Sequence, residues 1–183
     1  MEVRPLALEG VYEIVPRKLE DHRGFFSETY NATDLATAGI TLDFVQDNHS
    51  RSTRRGVLRG LHYQLAPRAQ DKLVRVVKGA ILDVAVDIRR SSETFGKWVA
   101  LEISAEKWNQ ILVPQGFAHG FVTLVDDTEV IYKVSDYYSP EHDRAIRFDD
   151  PAIGIKWPLA ASEILLSDKD RGAPLLWEAT VFE

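Results

Sequence analysis

The chain has 183 residues, 45% hydrophobic and 27% charged, with a formal net charge of −6 and no cysteine. This is an ordinary globular composition, long enough for one domain (1–183) with a substantial core, and its acidic balance argues against a nucleic-acid partner. The lack of cysteine excludes disulfides, thiolate metal sites and a cysteine nucleophile, and it suits the cytoplasm.

Met1 to Gly10 carries acids and prolines rather than an apolar core, so no signal peptide is expected. No apolar run approaches the roughly 20 residues that span a bilayer, so no membrane association is expected either. Val11 to Val15 predicts a strand, ended by Pro16. After the turn residues Asp21-His22-Arg23-Gly24, Phe25 to Tyr30 predicts another. Asn31 to Ala38 has helical spacing at Asp34, Leu35 and Ala38, with Gly39 as the stop. Phe44 to Ser50 starts apolar and turns polar, and Arg51 to Gly56 reads as a basic loop.

Strands then follow one another. Leu73 to Val77 is closed by Lys78-Gly79. Leu82, Val84, Val86 and Ile88 alternate with Asp83, Ala85, Asp87 and Arg89, which predicts one buried face. Val99, Leu101 and Ile103 give Trp98 to Ser104 the same period, and Gln110 to Val113 stops at Pro114. Gly120 to Val125 and Glu129 to Val134 predict a hairpin around Asp126-Asp127. Beyond Pro151 the chain is irregular, with a short helix expected at Ala160 to Ile164. Strands of this length and spacing, without a βαβ unit, predict a β-sandwich or barrel.

Arg59-Gly60-Leu61-His62-Tyr63-Gln64 is the centre of the functional reading. Alternation places Leu58, Gly60, His62 and Gln64 on one face and Arg59, Leu61 and Tyr63 on the other. A polar inward face must bind a ligand or be satisfied internally; a hydrogen-bonded strand histidine is the simpler account of His62 taken alone. Pro114-Gln115-Gly116-Phe117-Ala118-His119 resembles the second motif of the cupins, small double-stranded β-helix barrels, and Gly56 with His62 resembles the start of their first. Metal-binding cupins continue with a second histidine and a glutamate. Here Gln64 replaces that histidine and no glutamate follows in place, so the ligand set is incomplete and no metal is expected. Tyr132 shares a face with Val130 and Val134, which points its ring toward the interior.

Taken in order, R-G-L-H-Y-Q, Q-x-K-L-V-R, P-x-G-F-A-H-G-F, Y-K-V-x-D-Y-Y-x-P-E-H and L-S-x-K-D resemble the dTDP-4-dehydrorhamnose 3,5-epimerase family from about Phe25 to Asp170. The resemblance implies a mainly β, cupin-type jelly roll with a few short helices. It further implies a cytoplasmic, cofactor-free homodimeric isomerase acting on a dTDP-4-keto-6-deoxyhexose, on the route to dTDP-L-rhamnose and a lipopolysaccharide or cell-wall polysaccharide. On this resemblance His62 is the general base, oriented by Asp170; Lys72 faces the C4 carbonyl oxygen; Tyr132 donates a proton on the far side of the ring. Arg23, Arg59 and His119 hold diphosphate or sugar. Glu28, Gln46, Asp47 and Asn48 line the nucleotide end, Tyr138 stacks on thymine, and Phe26, Asp143 and Lys169 fall at further binding positions. The Phe25 to Tyr30 segment is expected to reach a partner's site. Two residues depart from the family pattern. Asp71 stands where glycine is common and is expected to bear on Lys72; Asp143 stands for a glutamate and is expected to loosen one contact.

The chemistry suits these residue types. A C4 ketone acidifies both C3–H and C5–H, so one carbonyl permits inversion at both centres. Histidine suits a base that is neutral near pH 7, and a buried aspartate fixes its tautomer. The alternatives are a single-site C3 or C5 epimerase for another deoxysugar, a non-catalytic sugar-nucleotide-binding jelly roll and, third, a metal-dependent cupin oxygenase or isomerase, which Gln64 weighs against. The second would not need His62, Lys72, Tyr132 and Asp170 together.

Overall fold

A computed structural model describes Met1 to Glu183. Its strands are β1 (Glu2–Pro5), β2 (Tyr12–Val15), β3 (Lys18–Asp21), β4 (Gly24–Ser27), β5 (Gln46–Ser52), β6 (Leu58–Gln64), β7 (Lys72–Lys78), β8 (Ala80–Asp87), β9 (Trp98–Ser104), β10 (Gln110–Val113), β11 (Phe117–Thr123), β12 (Thr128–Val134) and β13 (Asp143–Ala145). Two short α-helices, α1 (Ala32–Thr37) and α2 (Asp168–Arg171), and a 3₁₀ turn at Ala161–Glu163 complete it. No helix is long and apolar enough to cross a membrane.

The strands form a six-stranded sheet, β1-β2-β10-β7-β12-β5, and a five-stranded sheet, β13-β6-β11-β8-β9; β3 and β4 pair only with each other. The large sheets face one another as a jelly roll. Val74, Val76, Ile111, Val113 and Val130 of one meet Ile81, Ala85, Ile103, Phe117 and Phe121 of the other. Burial of this apolar surface closes one end of the barrel. The outer face of the five-stranded sheet carries Leu61, Tyr63, Val84 and Val86, covered by Ile146, Ile153, Leu176 and Val181 from the irregular C-terminal stretch. Helix α1 forms where its spacing predicts. The Asn31 side chain accepts from the amides of Thr33 and Asp34 at 2.9 and 3.2 Å, and Leu35 packs on Ile14, Ile40, Leu73 and Leu112.

Three local expectations are corrected. The first is the hairpin around Asp126-Asp127. β11 is flanked by β6 and β8, while β12 pairs with β5 and β7 in the other sheet. Both edges of β11 are occupied, so the turn crosses between sheets. The second is β8, which is buried on both faces rather than one, because sheet covers one side and the C-terminal stretch the other. The third is the basic loop after Ser50: β5 runs on through Arg51 and Ser52, paired to Glu129 and Thr128.

Candidate active site

The open end of the barrel holds a cleft of about 480 Å³. Strands from both sheets line it, with His62, Arg59, His119 and Phe121 on the five-stranded side and Lys72, Tyr132 and Ser50 on the other. Leu165, Leu166, Ser167 and Asp170 close its rim. A smaller hollow adjoins it, sharing His62, Lys72 and Tyr132 and adding Gln46, Asn48, Gln70, Tyr138, Asp143 and Lys169.

Strand β6 reaches this arrangement by an irregularity that strict alternation misses. His62 lies opposite His119 and Arg59 opposite Phe121, so three steps on β6 match two on β11. The resulting bulge turns Arg59 inward beside His62, correcting the opposite-face expectation, and moves Leu58 to the outer cluster with Val122 and Leu159. Gly60 sits at the bulge with φ of +130°, and a Cβ there would lie 2.5 Å from the Gly120 Cα. Only glycine allows so close an approach. The Arg59 guanidinium reaches the carbonyl of Arg51 at 3.3 Å, which ties the two sheets together across the cleft.

His62 Nε2 meets Asp170 Oδ1 at 2.5 Å. Asp170 is buried on α2, whose first turn is capped by Ser167 accepting from the Asp170 amide at 3.1 Å. Burial alone pushes the Asp170 carboxyl up. Hydrogen bonds from His62, Ser167 and the Gly60 amide, with the attraction of His62, outweigh it and hold the group below the usual carboxylate range. Lys72 donates to the His62 carbonyl at 3.2 Å and has no carboxylate in ion-pair contact. Burial pulls its ammonium down to about 8, against the opposing attraction of Asp83 and Asp143. Burial pushes the Tyr132 phenol up, against the pull of Arg59. Its ring packs on the central core, as the alternation of Val130, Tyr132 and Val134 predicts.

His119 is buried, with Nε2 3.0 and 2.9 Å from the two carboxylate oxygens of Asp83. Asp83 is a site residue that sequence reasoning missed. Alternation along β8 predicts the solvent side of a half-buried strand for Asp83; the signal for its inward position is the need of a buried histidine for an acceptor.

The structure gathers His62, Lys72, Tyr132, Asp170, Arg59 and His119 into the cleft, and Gln46, Asn48, Tyr138, Asp143 and Lys169 into the adjoining hollow. Asp143 accepts from the Tyr138 hydroxyl at 3.2 Å and pairs with Lys169. Asp47 is not among them. It lies on the opposite face of β5 from Gln46 and Asn48, paired with Lys133 at 2.9 Å. Arg23 and Phe26 lie on the β3–β4 hairpin, where Arg23 is bound by Asp21 and Phe26 is exposed, and Glu28 follows it, accepting from Asn31 at 3.1 Å. These three stand apart from this chain's own cleft.

Gln64 and Asp71 brace loops. The Gln64 amide donates to the carbonyls of Arg68 and Tyr137 and accepts from the Ser139 amide. Asp71 accepts from the Gln115 amide at 3.1 Å and the Ser135 hydroxyl at 2.9 Å, so its carboxylate is directed at backbone and hydroxyl rather than at Lys72. No three His, Asp or Glu side chains gather as metal ligands do.

The dTDP-4-dehydrorhamnose 3,5-epimerase family model matches residues 5–178. The enzyme of that name from Pseudomonas aeruginosa is 50% identical, the match covering 100% of this chain and 99% of that one. The crystal structure of a dTDP-6-deoxy-D-glucose-3,5-epimerase from Legionella pneumophila, in complex with dTDP-4-keto-L-rhamnose, superposes with a TM-score of 0.93 at 44% identity, covering 98% of this chain and 94% of that one. A 3'-monoepimerase from Streptomyces bikiniensis, in complex with dTDP-quinovose, superposes with a TM-score of 0.89 at 37% identity, covering 95% and 87%. With this match along nearly its whole length, the chain belongs to the dTDP-4-dehydrorhamnose 3,5-epimerase family.

Proposed function

We propose that this chain is an isomerase that inverts C3 and C5 of dTDP-4-dehydro-6-deoxy-D-glucose to give dTDP-4-dehydro-L-rhamnose. The observation that carries the reading is a base and an acid entering one cleft from facing sheets: the His62–Asp170 pair from one side and Tyr132 from the other.

His62 takes the proton beside the C4 ketone, and Asp170 holds the imidazole and stabilises the imidazolium. Negative charge then develops on the C4 oxygen. The Lys72 ammonium, buried and without an ion-pair partner, supplies the stabilising charge without first breaking an existing pair. Tyr132 returns a proton from the opposite face, which completes inversion. Repetition at the second carbon needs no other group, because the same carbonyl activates both. Arg59 and His119 hold the sugar–diphosphate side, and Gln46, Asn48, Tyr138, Asp143 and Lys169 receive the nucleotide. No cofactor takes part in this scheme.

The protein acts as one domain and as a cytoplasmic homodimer, feeding a lipopolysaccharide or cell-wall polysaccharide through dTDP-L-rhamnose. The β3–β4 hairpin supports the dimer: it pairs with no other strand, and it carries Phe25 and Phe26 exposed beside Arg23. Inserted at a second copy's cleft, it brings Arg23, Phe26 and Glu28 to the substrate there.

The test is incubation with dTDP-4-keto-6-deoxyglucose in D₂O, followed by NMR. The expected product carries deuterium and inverted configuration at both C3 and C5. Inversion at one carbon alone identifies a single-site epimerase, and no exchange at either rejects the reading.

A further inference from the structure

β5 lays a row of polar side chains along the site. Gln46 and Asn48 line the nucleotide-side hollow, and Ser50 and Ser52 continue the same face into the barrel. Three of the four are satisfied within the protein. Gln46 Nε2 donates to Asn48 Oδ1 at 2.9 Å, and Ser52 Oγ lies 3.5 Å from the Arg59 guanidinium. Ser50 is the exception: the residue lines the main cleft, while its Oγ is buried in the cleft wall and has no hydrogen-bond partner in the protein. It is the single such side-chain atom in the chain.

An unmet buried hydroxyl is unfavourable by a few kcal/mol at most, yet folded proteins contain few of them. A hydroxyl of this kind on a cleft-wall residue gains a partner when the side chain turns toward a polar group that arrives with a ligand. Position identifies which part of the ligand. Ser50 is one alternate step, about 7 Å, beyond Asn48 along the strand. It belongs to the cleft that holds His62, Lys72 and Tyr132 rather than to the hollow that holds Tyr138.

We propose that Ser50 is a specificity residue for the sugar half of the substrate, its hydroxyl exchanging a hydrogen bond with a ring hydroxyl of the bound hexose. This rests on the sugar-nucleotide reading above. A hydroxyl is suited to the task, because it can donate or accept and so tolerates the change in ring geometry as C3 and C5 invert.

The test compares Ser50→Ala with wild type by calorimetry against two ligands, dTDP alone and a dTDP-hexose, and by thermal melting. The expected result is about tenfold weaker binding of the dTDP-hexose, the scale of one lost hydrogen bond. Binding of dTDP should be unchanged, and Tm equal or higher, because an unsatisfied group has been removed. A structural hydroxyl predicts a lower Tm with both affinities intact. Equal loss for both ligands, or loss for neither, overturns the assignment. If wild type itself binds neither ligand, the sugar-nucleotide reading fails, and the melting result still reports whether the Ser50 hydroxyl is satisfied in the fold.

Discussion

Replacing Lys72 with methionine separates stability from function. Methionine keeps the length and apolar stem of lysine and removes the charge. In the fold, burial lowers the ammonium from 10.5 to about 8, a shift that corresponds to about 3 kcal/mol unfavourable to the folded state at neutral pH. The lost hydrogen bond to the His62 carbonyl offsets about 1 kcal/mol of any gain. Lys72→Met should therefore be more stable than wild type at pH 7 by about 2 kcal/mol. The pH dependence gives a second check. Between pH 8 and 10.5 the unfolded state binds the proton and the folded state does not, so wild type gains stability as pH rises through that window. The variant lacks this increment, and the two should converge near pH 10. Urea unfolding at pH 7 and pH 10 measures both. Turnover should fall by roughly 10²- to 10³-fold, the scale of a lost oxyanion partner. A variant less stable than wild type at pH 7 would refute the reasoning, because it would mean that the Lys72 charge is well compensated in the fold.

In Tyr132→Phe, the core ring remains and the hydroxyl has no protein partner to orphan, so stability should change by less than about 1 kcal/mol. Deuterium exchange with retention should persist at one or both carbons while inversion at C5 drops by about 10²-fold; inversion at the wild-type rate would return Tyr132 to a purely core role. Mixing inactive His62→Ala with inactive Arg23→Ala/Phe26→Ala protein should restore activity to about a quarter of wild type, since half the dimers pair an intact base with an intact hairpin at one of two sites. No recovery after subunit exchange, with both proteins dimeric by light scattering, would place the hairpin outside the partner's site. Acid stability should depend on Asp87. Burial pushes this carboxyl up, but hydrogen bonds from Arg89, Ser92 and Thr94 outweigh it and hold it at about 2, against an ordinary 3.8. The depressed value contributes about 2 kcal/mol above pH 4, lost as pH falls toward 2. Denaturation of Asp87→Asn should accordingly show a flatter acid limb than wild type, and parallel limbs would count against this account.

The period-2 pattern, the helical spacing and Gly39 stop of α1 and the order of polar motifs were readable from the chain because each depends on neighbours within a few residues. Trp98 to Ser104 and Gln110 to Val113 appear with the bounds that alternation assigns them. His62, Lys72, Tyr132 and Asp170 were legible as a set through family resemblance, and the structure brings them to one cleft. Strands β1 and β13 and helix α2 escaped the reading. Each is four residues or fewer, too short to show a period, and β1 and β13 exist only through pairing with β2 and β6.

Sequence alone thus determined that this chain is a β-sandwich or barrel, because hydrophobic alternation is a local property; the jelly-roll form and the set His62, Lys72, Tyr132 and Asp170 were legible only through the order of motifs that carries the family resemblance. Tertiary structure decided which sides those residues face. A bulge on β6 turned Arg59 inward, although uniform alternation points it away from His62. Pairing of β11 on both edges made the Asp126-Asp127 turn a crossover rather than a hairpin. The choice of face on β5 sent Asp47 outward to Lys133 and left Ser50 facing the cleft. Burial of both faces of β8 made Asp83 the partner of His119. Each outcome depends on which segment packs against which, a long-range competition for apolar surface and hydrogen-bond partners that no short window of residues encodes.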